Sequence, residues 1–461
     1  MSVSPVLAAG DEPATTRPAS RVPRHVLAAL AAPGIPQSAM SLPLVVYLPQ
    51  FYSGDLGLGL GLVGSIFMVI RLLDIAFDPF VGTFMDATRT RFGTYRPWLM
   101  ASVPMVMASI AMLFMAKPGV GPVHLTAWLS LAYAGWSILS LSLVALAANV
   151  ARDYDERTRA YSWWQAAFMV GMIAAMLLPK GLAALGHASS GDRMQAMAWL
   201  VLLLMPLMVL VTMAVVRERS VIKAEVPSTW RDYFGLMRVA TVRRVLLTEG
   251  LLGLAGGCTS TLTVFFFSWL KAIAPADIGL ILVANFVVGL LLTPLWSALA
   301  TRFSKHRALI VAAVGYAVVQ LLFLVVPAGN LGLMVACGAA SGAFYGATNM
   351  LPRAILADVG DLERLNTGKE RSGLLFALLI GIAKVGQALS VGLMFYVLDL
   401  VGFNPAPGAT NPPLALAVLM GLYGGLAAAL SLGAALLIRR HPITAERHAD
   451  ILRQLRERGL T

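Results

Sequence analysis

A series of about twelve long apolar segments restricts the fold of this chain more than any other feature of its sequence. Each segment has about 20 to 30 residues. An α-helix rises about 1.5 Å per residue, so each could cross a hydrocarbon core of about 30 Å. Because helices satisfy their own backbone hydrogen bonds in lipid, the pattern predicts an all-α membrane protein with about twelve transmembrane helices. The approximate limits are 27–51, 58–85, 97–116, 122–150, 161–186, 195–216, 244–270, 278–300, 306–327, 331–357, 372–401 and 413–438.

Composition narrows the classes of function. Of the 461 residues, 58% are hydrophobic and 13% are charged, about half the charged fraction of a soluble protein. The net charge of +12 comes from basic residues in short loops, which indicates membrane topology and not binding of nucleic acid. The sequence has no glycine-rich phosphate loop, which argues against ATP as an energy source. Neither a metal-ligand cluster nor a nucleophile–base pair stands out, so we expect no enzyme and no cofactor.

Loop charge predicts the orientation of the chain. Arginines and lysines concentrate in the loops after segments 2, 4, 8 and 10 and in the linker after segment 6. Positive loops stay in the cytoplasm, so we expect a bacterial inner-membrane protein with both termini cytoplasmic. The C-terminal tail has a weak apolar stripe of Ile451 and Leu455, which suits the membrane surface or a solvated helix. The predicted organisation is a disordered cytoplasmic tail (1–25), a six-helix half (26–216), a cytoplasmic linker (217–243), a second six-helix half (244–438) and a basic tail (439–461).

The two halves share a short repeat. The second segment runs through DPFVG (Asp78 to Gly82) into a basic loop, and the eighth runs through TPLWS (Thr293 to Ser297) into another. The repeats match in position but not in charge, because Thr293 stands where the first half has Asp78. Six helices plus six with repeated halves resemble the layout of the major facilitator fold, whose substrate site lies near the membrane midplane between the halves.

Three charged residues lie inside the second segment, where each charge costs about 2.5–3.5 kcal/mol near the bilayer centre. Arg71, Asp74 and Asp78 are three and four residues apart, so they share one face of a helix. Two carboxylates at this spacing repel each other and need a positive partner. Arg71 is one candidate, and a bound cation or a proton is the other. The stripe is therefore either a cation-coupling site or a structural ion pair.

Four stretches of the chain resemble one family of transporters. RLLDIAFDPFVGTFMDATRTRFGTYRPW (Arg71 to Trp98) is similar to the helix 2 signature of the glycoside–pentoside–hexuronide:cation symporters, the melibiose permease family. ARDYDERTR (Ala151 to Arg159) resembles the loop after helix 4, and the segment from Leu356 to Leu378 resembles the one that joins helices 10 and 11. Lys384 matches a lysine inside helix 11. The resemblance implies cation-coupled transport by alternating access, with a small solute, a cation and the bilayer as partners.

The resemblance assigns the coupling ion to the second segment. In that family the positions of Asp74 and Asp78 form the cation site, and a helix 4 hydroxyl contributes at the position of Ser137. These two carboxylates would hold the metal ion if it is sodium. Lys384 takes a position that faces the central cavity. It lies too deep in its segment to reach the interface easily, so it needs a carboxylate, a substrate anion or water, and Asp74 and Asp78 are candidate partners. A structural ion pair is the alternative.

The predicted substrate site departs from the family. There, two aspartates and an arginine hold the glycoside, since charge-assisted hydrogen bonds suit sugar hydroxyls. Here Ser38, Ser140 and Gln165 occupy these positions, so all three charges are absent. A neutral or amphipathic solute fits this change, and ordinary helix packing is the alternative role for these residues. The predicted substrate residues are Gln37, Ser38, Ser140, Trp164, Gln165 and Lys384.

Charged residues near two corresponding basic loops are predicted to act as gates. In major facilitators such loops pair acids with bases across the ends of helices, and the pairs form in one access state and break in the other. A simple positive-inside anchor is the alternative, and both roles can coexist. The residues concerned are Arg71, Asp86, Arg89, Arg91 and Arg96 in the first half and Asp358, Asp361, Lys369 and Arg371 in the second.

Three functions stay open from the sequence. The first is symport of a sugar, glycoside or other small organic solute with sodium or a proton. The second is transport of a lysolipid or another amphiphile, which the absence of charged sugar ligands fits. The third is a non-transporting membrane scaffold or sensor with the same fold. The retained Asp74, Asp78 and Lys384 argue against the third, because a non-transporter gains little from buried ionisable groups.

Overall fold

The computed structural model describes residues 22–150, 154–186, 189–218, 235–368 and 371–458, and within them it contains helices and no β-strand. Eleven helices are long and apolar enough to span a membrane, and a bent pair makes a twelfth. The predicted all-α membrane fold is confirmed. The helices are α1 (Arg24–Asp55), α2 (Leu60–Ala87), α3 (Arg96–Phe114), α4 (Pro122–Val150), α5 (Tyr154–Ala184), α6 (Ser190–Val215), α7 (Ala240–Leu270), α8 (Pro275–Leu291 and Thr293–Phe303), α9 (Lys305–Val325), α10 (Leu331–Thr367), α11 (Ser372–Leu400), α12 (Pro413–Ile438) and α13 (Ala445–Glu457).

Two of the deviations from regular helical winding lie at prolines. In α1 the turn Pro43–Tyr47 is π-helical, since Pro43 has no N–H to complete the regular ladder. The two parts of α8 meet at 44°, and the second part begins at Thr293, directly before Pro294. In the repeat, Pro79 of α2 corresponds to Pro294 of α8. The helix α2, however, continues through Pro79 without a break. The corresponding helices of the two halves therefore differ in shape as well as in charge.

The predicted domain limits can be compared with the described helices only in part. The tail 1–25 and the linker 217–243 fall mostly outside the described residues, so these limits stay predictions. The first helix begins at Arg24 and the seventh at Ala240. The C-terminal tail contains a helix, α13, whose cap is the Thr444 hydroxyl.

The helix α13 packs on the protein, which neither interpretation of the tail had predicted. Ile451 and Leu455 are 3% and 2% exposed, and they belong to the same apolar cluster as Leu365 of α10. Arg458 donates to the backbone carbonyl of Leu365 over 3.1 Å. The weak apolar stripe of the tail therefore packs on the end of α10 and not on the membrane surface.

The two halves contact each other at one end of the helix bundle, which we call the far end. The opposite end carries the loops with Arg89 and Arg302, and we call it the basic end. At the far end α2 packs on α11 so closely that a Cβ on Gly61 would lie 2.7 Å from an Asp399 carboxylate oxygen. There α5 also meets α8, with a salt bridge of 2.9 Å between Lys180 and Asp277. The far end is closed.

The same helices separate toward the basic end. A Cβ added at Gly82 of α2 or at Gly381 of α11 would meet no atom within 4 Å. Contacts between α2 and α11 extend from Gly61 as far as Asp78, which contacts Lys384. The space between the halves therefore opens toward the basic end. Under the predicted orientation, this is an inward-facing state.

Candidate functional site

Two carboxylates and a lysine meet where the halves separate, midway along α2 and α11. The Lys384 ammonium Nζ lies 2.5 Å from Asp78 Oδ2 and 3.4 Å from Asp74 Oδ2. Ser137 of α4 donates its hydroxyl proton to Asp74 Oδ1 over 2.7 Å. One cation thus bridges two carboxylates that share a helix face and would otherwise repel each other. Residues from three helices and both halves build the site.

Arg71 was one predicted positive partner of Asp74 and Asp78, but it forms no ion pair with either aspartate in the structure. Its Nε donates to the phenolic oxygen of Tyr133 over 2.8 Å, and its guanidinium lies 5.8 Å from the centroid of that ring. Asp74 and Asp78 therefore receive their positive charge from Lys384, on the other half of the molecule. The stripe is neutralised across the interface between the halves and not within its own helix.

One carboxylate oxygen of the site is buried and has no hydrogen-bond donor. Asp78 Oδ1 is shielded from solvent and has no partner, although burial of an unpaired polar atom is costly. Oxygen ligands with negative charge are what hard cations prefer. Asp74, Asp78 and the Ser137 hydroxyl together could supply such ligands, and the Lys384 ammonium now contacts both carboxylates.

A cavity of about 230 Å³ lies beside these charges. Its walls come from both halves, since α1, α2 and α4 supply one side and α11 the other. The π-helical turn of α1 contributes Leu44 and Val45 to the wall. The polar and aromatic side chains of the wall are Ser41, Arg71, Asp74, Tyr133, Trp136, Lys384 and Gln387. An amphipathic cavity of this size next to an ion site is suited to a small polar solute.

Two of the predicted substrate residues form a hydrogen bond with each other. The Gln37 amide nitrogen donates to the Ser140 hydroxyl over 2.6 Å. Gln37 Oε1 is buried and has no partner. Ser38 is fully buried, and its hydroxyl donates to the carbonyl of Ile35. A Cβ on Gly171 of α5 would lie 2.4 Å from the Ser38 hydroxyl, so the packing alternative describes Ser38 in this state.

The remaining predicted substrate residues lie in different surroundings. Trp164 lies beside Phe168, with ring centroids 5.0 Å apart and the ring planes tilted by 38°, and it lies next to Gly34 of α1. Gln165 is exposed. Lys384 is the member of the predicted set that lines the central cavity in the described part of the chain. The substrate roles of the other five stay predictions.

Several cavity residues were not predicted from the sequence. Tyr133 and Trp136 lie on α4 and Gln387 on α11. Tyr133 is four positions before Ser137, Trp136 is four before Ser140 and Gln387 is three after Lys384, and spacings of three and four place side chains on one helix face. Helical spacing from Ser137, Ser140 and Lys384 was therefore a signal that could have found them.

The predicted gate residues of the first half act within that half. Arg96 of α3 donates to the backbone carbonyl of Met213 in α6. The carboxylate of Glu218, which the sequence had not singled out, accepts from the backbone N–H groups of Thr94, Tyr95 and Arg96. These contacts tie the start of α3 to the end of α6. Arg89 and Arg91 are exposed, and the Asp86 side chain lies outside what the structure describes.

The predicted gate residues of the second half also find partners within their half. Asp358 accepts from Lys305 Nζ over 2.5 Å. The His448 ring of α13 lies 2.9 Å from Asp361 and 3.4 Å from Asp358. Arg371 directly precedes α11, and Lys369 lies outside the described residues. These contacts are consistent with anchoring, and a gating role stays a prediction.

In the described part of the chain, up to twelve membrane-spanning helices form two halves that meet at the far end, with charged residues midway between the ends. This arrangement is that of a transporter of the major facilitator class. A family model described as MFS/sugar transport protein matches residues 29–445. The chain belongs to this family. The resemblance of its sequence to the glycoside–pentoside–hexuronide:cation symporters is confirmed. It is a transporter and an integral membrane protein, not an enzyme.

Similarity to individual proteins covers most of the chain. An uncharacterized symporter, sll1374 of Synechocystis, is 24% identical over 90% of this chain and 93% of its own. The putative glycoside/cation symporter YagG of Escherichia coli is 24% identical over 88% of this chain and 89% of its own. The solved structure of the nucleoside transporter NupG superposes with a TM-score of 0.66 at 13% identity, over 90% of this chain and 100% of that one, which supports the fold alone.

Proposed function

We propose that this protein is a symporter that moves a small organic solute together with a cation, either sodium or a proton. One observation carries the proposal. Asp74, Asp78 and Ser137 of one half surround Lys384 of the other half at the edge of a cavity. The similarity to a protein described as a putative glycoside/cation symporter supports the same class of substrate and a coupling cation.

The proposed cation binds in place of the lysine ammonium. Sodium and an ammonium carry the same charge, and both are satisfied by carboxylate oxygens. Asp78 Oδ1, which has no donor, offers an additional ligand. A proton on either carboxylate would remove one negative charge from the pair, which is the charge that a sodium ion would offset. Cation binding therefore weakens the contact between Lys384 and the two aspartates.

This exchange couples the cation to the movement of the halves. The contact of Lys384 with Asp74 and Asp78 joins α11 to α2 in the state that is closed at the far end. A cation that replaces Lys384 removes this connection and favours the alternate state. The solute binds in the adjacent cavity and favours the same alternate state, and linkage then requires that each ligand raises the affinity for the other by the same factor.

A sodium titration of the purified protein tests the proposal. We expect sodium at a fixed pH of 8 to raise the thermal stability of the wild type in a saturable manner, since a ligand of the native state stabilises it by RT ln(1 + [L]/Kd). The shift should vanish in Asp74→Asn and Asp78→Asn. Asp450→Asn, which changes a partly exposed carboxylate of α13 paired with Arg453, is the control and should keep it.

A different pattern would change the conclusion. Stability that responds to pH but not to sodium, with the pH response lost in Asp78→Asn, would identify the coupling ion as a proton. Indifference of the wild type to both ions would contradict symport and favour the scaffold function.

A further inference from the structure

A buried glutamate of the second half takes no part in the site described above. Glu249 lies in the third turn of the spanning helix α7 and is only 5% exposed. Its carboxylate oxygen Oε2 is shielded from solvent and has no hydrogen-bond partner among the described residues. An ionised carboxylate at such a position is costly unless a cation or several donors surround it. The surroundings of Glu249 therefore decide whether its side chain is charged.

The basic residues closest to Glu249 in the sequence do not neutralise it. Arg244, five positions earlier on α7, donates instead to the backbone carbonyl of Arg440, just beyond the end of α12. The side chain of Arg243 is exposed. Neither arginine forms a salt bridge with Glu249 within the residues that the structure describes. The start of α7 thus supplies no cation to this carboxyl group.

Two of the helices that pack against α7 also offer no charge to Glu249. On α11 the side chain beside α7 at this level is Ile382, and Lys384 is bound to the aspartates of α2. The one ionisable residue of α12 is Tyr423, which stacks on Phe266, more than four turns along α7 from Glu249. The remaining neighbour with ionisable groups is α10.

Two residues of α10 are the ionisable groups whose charges reach Glu249. They are Tyr345 and Arg353, and neither forms a hydrogen bond or a salt bridge with Glu249 in the described ranges. Arg353 is exposed, and its NH1 group donates to the backbone carbonyl of Asn349 over 2.7 Å. A guanidinium has further donors, so Arg353 could stabilise an ionised Glu249 if the two side chains met. In this state they are apart.

We propose that Glu249 is a proton-binding site of the second half, which holds a proton in the state that is closed at the far end. A proton makes the buried side chain neutral and removes the cost of an unpaired charge. Arg353 opposes this proton, because a nearby positive charge favours the ionised carboxylate. The site is separate from Asp74 and Asp78, so it goes beyond the symport function proposed above and does not depend on the ion that those two aspartates bind.

Infrared spectroscopy of the purified full-length protein tests the proposal, because a carboxylic acid and an ionised carboxylate absorb at separate positions. We expect a carboxylic-acid band in the wild type at pH 6, where an ordinary solvated glutamate is ionised. This band should disappear in Glu249→Gln. It should remain in Asp78→Asn, which changes the other carboxylate site, and in Glu457→Gln, which changes an exposed carboxylate of α13.

A titration of the same band tests the role of Arg353. Arg353→Gln should raise the proton affinity of Glu249 by about threefold or more, since it removes the positive charge that opposes the proton. The band should therefore persist to higher pH than in the wild type. Arg302→Gln changes another exposed arginine of the basic end and should leave the titration midpoint unchanged.

Each other result would overturn the proton site. A wild type without a carboxylic-acid band at pH 6, or a band that survives Glu249→Gln, would show that Glu249 is ionised. Glutamine has the shape of a protonated glutamate, so Glu249→Gln should unfold at the same temperature as the wild type at pH 6. A variant that fails to fold would show that the charge is required. An unchanged midpoint in Arg353→Gln would remove the opposition between Arg353 and the proton.

Discussion

Removal of the Lys384 ammonium should strengthen cation binding, because Lys384 and the cation compete for the same carboxylates. Its Nζ lies 2.5 Å from Asp78 and 3.4 Å from Asp74. Hydrogen bonds to charged groups contribute about 1.5–3 kcal/mol net. The lysine side chain is 36% exposed, so solvent screening reduces its contribution toward the lower half of this range, about 1.5–2 kcal/mol. At 1.36 kcal/mol per factor of ten, Lys384→Gln should bind sodium about 10- to 30-fold more tightly.

Isothermal titration with sodium at pH 8, where free carboxylates are ionised, measures this change. Without sodium the variant should be less stable than the wild type, since two adjacent carboxylates have lost their positive partner. At saturating sodium this deficit should shrink. Lys384→Arg keeps a cation at the position and is the matched control, with an affinity near that of the wild type. Unchanged or weaker sodium binding in Lys384→Gln would refute the competition between lysine and cation.

Two further perturbations test the closed far end and the basic end. A Cβ on Gly279 would lie 2.0 Å from the Met176 backbone oxygen, so Gly279→Ala should disfavour closure by about 1–3 kcal/mol, or about 5- to 150-fold. The reporter is Met68→Cys in a background without Cys258 and Cys337, and its thiol should then react faster with an impermeant maleimide. Gly181→Ala is the control and should not change the rate, because a Cβ there meets open space. His441 follows α12, and burial with the nearby charges of His306 and Arg244 lowers its pKa to about 4. Because the unfolded chain takes up this proton near pH 6.5, the free energy of unfolding should fall as pH drops from 6.5 toward 4, by about 2–3 kcal/mol at pH 4.5. Thermal unfolding of His441→Leu should lack this part of the acid sensitivity. A pH profile identical to that of the wild type would contradict the prediction.

Local chemistry was enough to predict the architecture and the charged face of α2. Twelve apolar segments of membrane-crossing length lead to twelve spans because lipid allows few other backbone arrangements. Spacing at i, i+3 and i+7 put Arg71, Asp74 and Asp78 on one face, as helical geometry requires. The depth of Lys384 in its segment likewise indicated that it needs an anionic partner.

Long-range packing decided which of these charges meet. Lys384 lies 310 residues from Asp74 and 306 from Asp78, and it reaches them because α11 packs along α2. Arg71, much closer in sequence to the aspartates, instead faces Tyr133 and the cavity. Spacing identifies the residues that share a helix face, but the partner of that face is set by the docking of another helix.

The same reason explains the other differences. Ser38 was expected in a substrate pocket, and the close approach of Gly171 buries it between α1 and α5. The tail stripe of Ile451 and Leu455 covers the end of α10, which no local pattern indicates. By itself, the sequence determined the class of protein, its spans and the chemistry available at the site, because these depend on length, polarity and spacing. The tertiary structure alone decided that Lys384 pairs with the carboxylates and that Arg71 donates to Tyr133, because only folded helices bring distant faces together.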